Sequence, residues 1–201
     1  MTKSNLIYSI ATSTFLLIAC SAAQAEGRAK FKGAKTNASG GVSAVQGGAA
    51  AGPNGNAGAR SRFTTTDGQG NASSSSGGAV RGANGGVGVR AGQTNVNSDG
   101  SASHQSAAAA NTAYGSGSTS GGFKRGADGS VSGGRSSSAS GAAGGRFNST
   151  SGYASGQGYQ RGTSATNAQG GTYNGETTAQ QGEGVSHSRT CTDAYGNTVD
   201  C

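Results

Sequence analysis

Beyond Ile18 the sequence contains no leucine, isoleucine, methionine or tryptophan. The large apolar side chains that remain there are nine valines and Phe31, Phe63, Phe123 and Phe147. Thirteen such groups are too few to offset the conformational entropy of a chain this long, in which glycine loses the most freedom on folding. A conventional globular core is therefore not expected. There is a single proline, Pro53, and acidic residues are outnumbered by basic ones, 8 against 15.

The motifs of nucleotide chemistry and acyl transfer are missing too. The sequence has no Gly-x-Ser-x-Gly elbow and no Gly-x-x-x-x-Gly-Lys loop. His104 and His187 are isolated, and no aspartate array of the calcium-binding repeat type occurs. An active site also needs a rigid scaffold. No catalytic residue, cofactor or metal is expected, and the chain is not expected to be an enzyme.

What is present begins with an export signal. Lys3 precedes a mostly apolar stretch from Leu6 to Ala19, and Ala23-Gln24-Ala25 before Glu26 has the small-residue form of a cleavage site. The stretch is short for a membrane span and carries Ser9, Thr12, Ser13 and Thr14. Residues 1–25 are read as a signal peptide cleaved between Ala25 and Glu26. Leu17-Ile18-Ala19-Cys20 also resembles the bacterial lipobox, which would make Cys20 a lipidated first residue tethered to the outer membrane. The ordinary site is favoured. Either way the chain is expected outside the cytoplasm, in the periplasm, at the outer membrane and cell surface, or in the medium.

Either cleavage leaves Cys191 and Cys201, which an oxidising compartment should join. Between them lies Asp193-Ala194-Tyr195-Gly196-Asn197, good turn chemistry flanked by threonines and Val199. Residues 185–201 are read as a disulfide-closed hairpin.

All 40 glycines lie at or beyond position 27. Within residues 36–184 and on into the hairpin, turn-like tripeptides ending in glycine recur. They include Pro53-Asn54-Gly55, Thr66-Asp67-Gly68, Ala83-Asn84-Gly85 and Ala127-Asp128-Gly129. Asn-Gly and Asp-Gly are strong hairpin signals. Eleven such tripeptides, the last being Ala194-Tyr195-Gly196, follow one another at about 14-residue spacing. The segments between them are rich in Ser, Thr and Val, and only Ala107–Ala110 invites a helical turn. The expected fold class is a low-complexity, Gly/Ser-rich chain. It would be largely disordered or irregular all-β, with short strands joined by turns and poorly specified register.

Residues 26–35 form a basic segment with Arg28, Lys30, Lys32 and Lys35 around Phe31. Without Lys3 the chain carries fourteen basic and eight acidic residues, a net of +6. Several basic residues stand near aromatic ones: Arg62 beside Phe63, Lys124 and Arg125 after Phe123, Arg146 before Phe147, and Arg161 two places after Tyr159. Basic groups and rings along a flexible chain suit polyanions.

Two functions follow as expectations. The first is an exported structural or interaction protein of the bacterial cell surface or extracellular matrix (biofilm, adhesion or fibre), working by self-association of Gly/Ser/Thr-rich segments. The second is a secreted or lipid-anchored cationic module that binds extracellular DNA, acidic polysaccharide or lipopolysaccharide. Its contacts would be Arg28, Lys30, Lys32, Lys35, Arg62, Lys124, Arg125, Arg146 and Arg161.

Overall fold

The computed structural model describes residues 27–201. Cleavage between Ala25 and Glu26 and lipidation at Cys20 fall outside the described residues. The chain divides into two units, the first ending at Ser98 and the second running from Asp99 to Cys201.

The first unit is an antiparallel meander of five ten-residue strands: β1 (Gly27–Thr36), β2 (Val42–Ala51), β3 (Ala57–Thr66), β4 (Ala72–Arg81) and β5 (Val87–Val96). The second is a meander of β6 (Ala102–Thr112), β7 (Gly115–Arg125), β8 (Val131–Gly141), β9 (Arg146–Ala154), β10 (Gly158–Thr166), β11 (Thr172–Gln180), β12 (Gly184–Thr192) and the two-residue β13 (Thr198–Val199). No helix occurs among the described residues. Within each unit every strand pairs with the strands next to it in sequence, and no strand packs across a sheet face.

The expectation of a largely disordered or irregular chain without a globular core is overturned: the fold is a regular antiparallel sheet throughout. Ala107–Ala110, read as a possible helical turn, lies inside β6 and pairs residue by residue with Gly117–Ser120. Residues 27–36, most of the basic segment, form β1 and pair in full with β2. The expected disulfide is present, with Cys191 and Cys201 bonded and their Cα atoms 5.4 Å apart.

The source of this order is the backbone. Among the described residues no hydrophobic side chain is buried, and the only buried residues are Gly41, Gly78 and Gly171. Within each unit the strands that touch are those next to each other in sequence, so each hairpin closes a short loop at small entropic cost.

The turns supply the register that the small side chains leave open. Most share one five-residue form. In Asn37–Gly41 the amide of Gly40 donates to the Asn37 carbonyl (3.2 Å) and that of Asn37 to the Gly41 carbonyl (2.9 Å). The pattern recurs at Gly52–Asn56, Gly82–Gly86, Gly126–Ser130, Gly141–Gly145, Asn167–Gly171 and Asp193–Asn197. It is a turn followed by a left-handed residue and a bulge. The glycines ending all eleven tripeptides have positive φ. At Gly85, φ is 78° with nothing within 4 Å of a built Cβ, so backbone conformation alone requires glycine there.

Turns at one end of a sheet are also tied to each other. The Asn56 side-chain oxygen accepts the Ala83 amide (2.6 Å), and that of Asn71 accepts the Ser98 amide (2.9 Å). Both links span 27 residues and join the turns on either side of a strand pair.

Candidate interaction faces

Successive side chains of a strand point to opposite faces, so a fixed register sorts the sequence into two surfaces per sheet. In the first unit, residues on alternate strands that are 30 apart fall in one row. Lys30, Arg60 and Arg90 share such a row, separated by Gly48 and Gly78. The same face holds Arg28, Lys32 and Arg62, and Arg62 Nε donates to Ser74 Oγ at 2.9 Å. Six basic residues therefore share one face, and β1 to β5 carry no acidic residue.

The opposite face of that unit is apolar toward the Gly27 end of β1 and polar toward the other, where Ser43, Thr65, Ser73 and Asn95 share a row with Lys35. One row reads Ala29, Ala49, Ala59, Ala79, Val89, and the neighbouring rows add Phe31 with Ala91, and Val45 with Phe63. Lys35 and Arg81 stand at its two margins. Phe31, Val45, Val87 and Val89 are exposed.

In the second unit one face collects the rings. His104, Phe123, Tyr153 and Tyr159 lie in a single row, with Gly133 between Phe123 and Tyr153. The His104 and Phe123 rings stack at 5.9 Å and 27°. Two residues along, the next row contains Arg135, Arg161 and His187, each 26 positions after the last. Arg189 follows in the third row, and Phe147 and Tyr173 in the fourth. Arg125 lies at the end of the same face.

Hydroxyls steer these guanidinium groups. Arg135 Nη1 donates to Thr119 Oγ1 (3.0 Å), and Arg161 Nε to Ser149 Oγ (3.2 Å). Those hydroxyls are themselves paired across strands, Thr119 with Ser137 at 2.9 Å and Ser149 with Thr163 at 3.2 Å. His187 Nδ1 meets Thr177 Oγ1 at 2.9 Å.

The reverse face is hydroxylic. Ser116 pairs with Ser140 (2.9 Å), Ser118 with Ser138 (3.0 Å) and Thr172 with Thr192 (2.8 Å). Lys124, Arg146 and Glu176 belong to this side. Among the described residues Glu176 is the one acidic residue within a strand, so the aromatic face of this sheet carries no carboxylate from its strands.

The residues expected to meet a polyanion are thus divided. Arg28, Lys30, Lys32 and Arg62 share a face with Arg60 and Arg90, which sequence reading passed over; Lys35 is on the other side. Arg125 and Arg161 join Arg135 and Arg189, also passed over, while Lys124 and Arg146 face away. Sequence neighbours such as Arg62 and Phe63, or Arg146 and Phe147, stand on opposite faces, whereas Tyr159 and Arg161 share one. The signal that finds the missed arginines is period two within a strand combined with the turn spacing, not adjacency to a ring.

The chain matches no protein family, no curated protein and no solved structure. Its class therefore rests on its own geometry: a repetitive antiparallel β-meander, one layer thick within each unit, with chemically distinct faces.

Proposed function

We propose that this is an exported structural protein of the bacterial cell surface or extracellular matrix, which acts by self-association. The observation that carries the reading is the apolar face of residues 27–98, on which Phe31, Val45, Val87 and Val89 are exposed, in a molecule with no buried hydrophobic side chain among the described residues. An apolar sheet surface gains free energy when a second layer removes it from water, and sheets pack about 10 Å apart. Five strands of ten residues make a face of about 24 by 33 Å, or about 800 Å² with its polar end included, near the per-partner area of a standard stable interface. Small side chains on it allow close approach of an identical face. Edge-to-edge joining through β1 is disfavoured, because Arg28, Lys30, Lys32 and Lys35 lie along this outer strand, and charge on an edge blunts strand addition.

Sedimentation velocity on the purified chain, with and without Phe63→Asp and Val89→Asp, tests this. Face-to-face assembly requires concentration-dependent growth that the two aspartates abolish while the β-sheet circular dichroism stays. A wild-type chain that remains monomeric at every concentration overturns it. Mass spectrometry of the exported protein should find Glu26 at its start. An acylated Cys20 would instead place the assembly on a membrane.

A further inference from the structure

We infer that the aromatic face of residues 99–201 is a docking surface for single-stranded nucleic acid. Single-strand binders combine a cationic track for the phosphates with rings on which unpaired bases stack. Both are built here on one side of one sheet. The ring row of His104, Phe123, Tyr153 and Tyr159 runs beside the cationic row of Arg135 and Arg161, two residues away along the strands, or about 6.7 Å. Phe123 and Tyr153 are 45% and 48% exposed, so their rings are accessible.

Charge complementarity selects the partner. The face has no carboxylate to repel phosphate, because Glu176 is on the reverse side and the remaining acidic residues of this unit are in turns or at the C-terminal end. Arg135 and Arg161 are oriented by the Thr119 and Ser149 hydroxyls, and a guanidinium has five N–H donors, more than these bonds use. A neutral saccharide would bring no charge to match Arg135 and Arg161. A duplex hides the base faces that the rings require. The site is independent of the apolar face of residues 27–98, so loss of assembly leaves it intact.

Fluorescence anisotropy of the full chain with a labelled oligothymidylate of about twenty nucleotides tests the assignment. Three competitors accompany it: an abasic phosphodiester of the same length, duplex DNA and a uronate polymer. The oligothymidylate should bind at least about tenfold more tightly than the abasic strand, since each stacked base is worth roughly five- to a hundredfold. Tyr153→Thr with Tyr159→Thr should remove that preference, whereas Tyr153→Phe with Tyr159→Phe should keep it. Arg135→Gln with Arg161→Gln should lower the slope of log affinity on log salt by about 1.4, at about 0.7 per lost phosphate contact. Equal binding of the abasic strand, equal competition by the uronate polymer, preference for duplex, or indifference to the tyrosine-to-threonine change would each overturn the assignment. Circular dichroism of every variant confirms that the sheet persists.

Discussion

The ring of Phe31 lies over Gly47, the residue directly opposite it on β2, and a Cβ added at Gly47 would collide with Phe31 Cζ. This pairing of a large side chain with glycine is repeated through the sheets. Arg60 faces Gly48 on one side and Gly78 on the other, Arg135 faces Gly121, Phe123 faces Gly133, and Arg189 faces Gly175. At Gly78 an added Cβ would meet Arg90 Nε at 3.4 Å. Many glycines within strands are therefore room left for the neighbour's side chain.

Gly47→Val should displace the Phe31 ring and crowd the Arg60 carbonyl, lowering stability by about 1–3 kcal/mol, the ordinary cost of overpacking. Urea denaturation measures it. Combining the change with Phe31→Ala should recover part of the loss, a coupling that a double-mutant cycle reads directly. Additive effects would mean that the ring does not rest on the glycine.

Gly85→Ala isolates backbone strain, because the space around it is open. Placing an L-residue in that left-handed conformation should destabilise the β4–β5 hairpin by roughly 1–2 kcal/mol. Gly85→Asn should cost less, as asparagine tolerates this region better. Equal effects of the two changes in a thermal melt would contradict the assignment of strain.

Reducing the Cys191–Cys201 bond, or substituting Cys201→Ser, should release the C-terminal hairpin. The closed ring is short, and its opening is expected to cost about 2–3 kcal/mol in the chain-entropy view. Hydrogen exchange should quicken at Thr198 and Val199 and at their partners Cys191 and Thr192. Protection in β7 to β10 should be unchanged, because stability here is local to neighbouring strands.

Acid should loosen the turns. The Asn71 side chain and the Gln69 amide hold the Asp67 carboxyl below its ordinary pKa, and the Asn197 side chain and amide do the same for Asp193. Asp128 is lowered by the Ser130 hydroxyl and amide. A pKa lower in the folded than in the unfolded chain gives stability that is present above the unfolded value of about 3.9 and is lost as pH falls through the folded one. The urea midpoint should thus be level near neutrality and decline below about pH 4. Asp193→Asn should remove its share of the decline while keeping the turn. Asn37 and Asn167 already accept the equivalent two backbone amides through an amide oxygen, at 2.8–3.1 Å. An acid dependence unchanged in that variant would exclude Asp193 as a source.

The turns and the disulfide were legible from residue types. Asn84-Gly85 and Asp128-Gly129 favour a left-handed glycine, which both adopt, and Cys191 with Cys201 enclose a segment that must turn back once they are joined. The order between the turns was not legible, because hydrophobic content is the usual measure of whether a chain folds, and here it is low. Ala107–Ala110 shows the same limit: four alanines favour helix locally, and the ladder to Gly117–Ser120 overrides them.

By itself, then, the sequence determined where the chain reverses, which cysteines join, and that a side-chain core would be lacking, since these follow from local stereochemistry and composition. The tertiary structure alone decided register, and register decides everything about the faces. A slip of one residue would carry Arg161 to the hydroxyl side and exchange the neighbours of every ring. Only the paired backbone places Lys30 in one row with Arg60 and Arg90, or Phe123 in one row with Tyr153, because residues far apart in sequence are aligned through hydrogen bonds whose pattern no single segment contains.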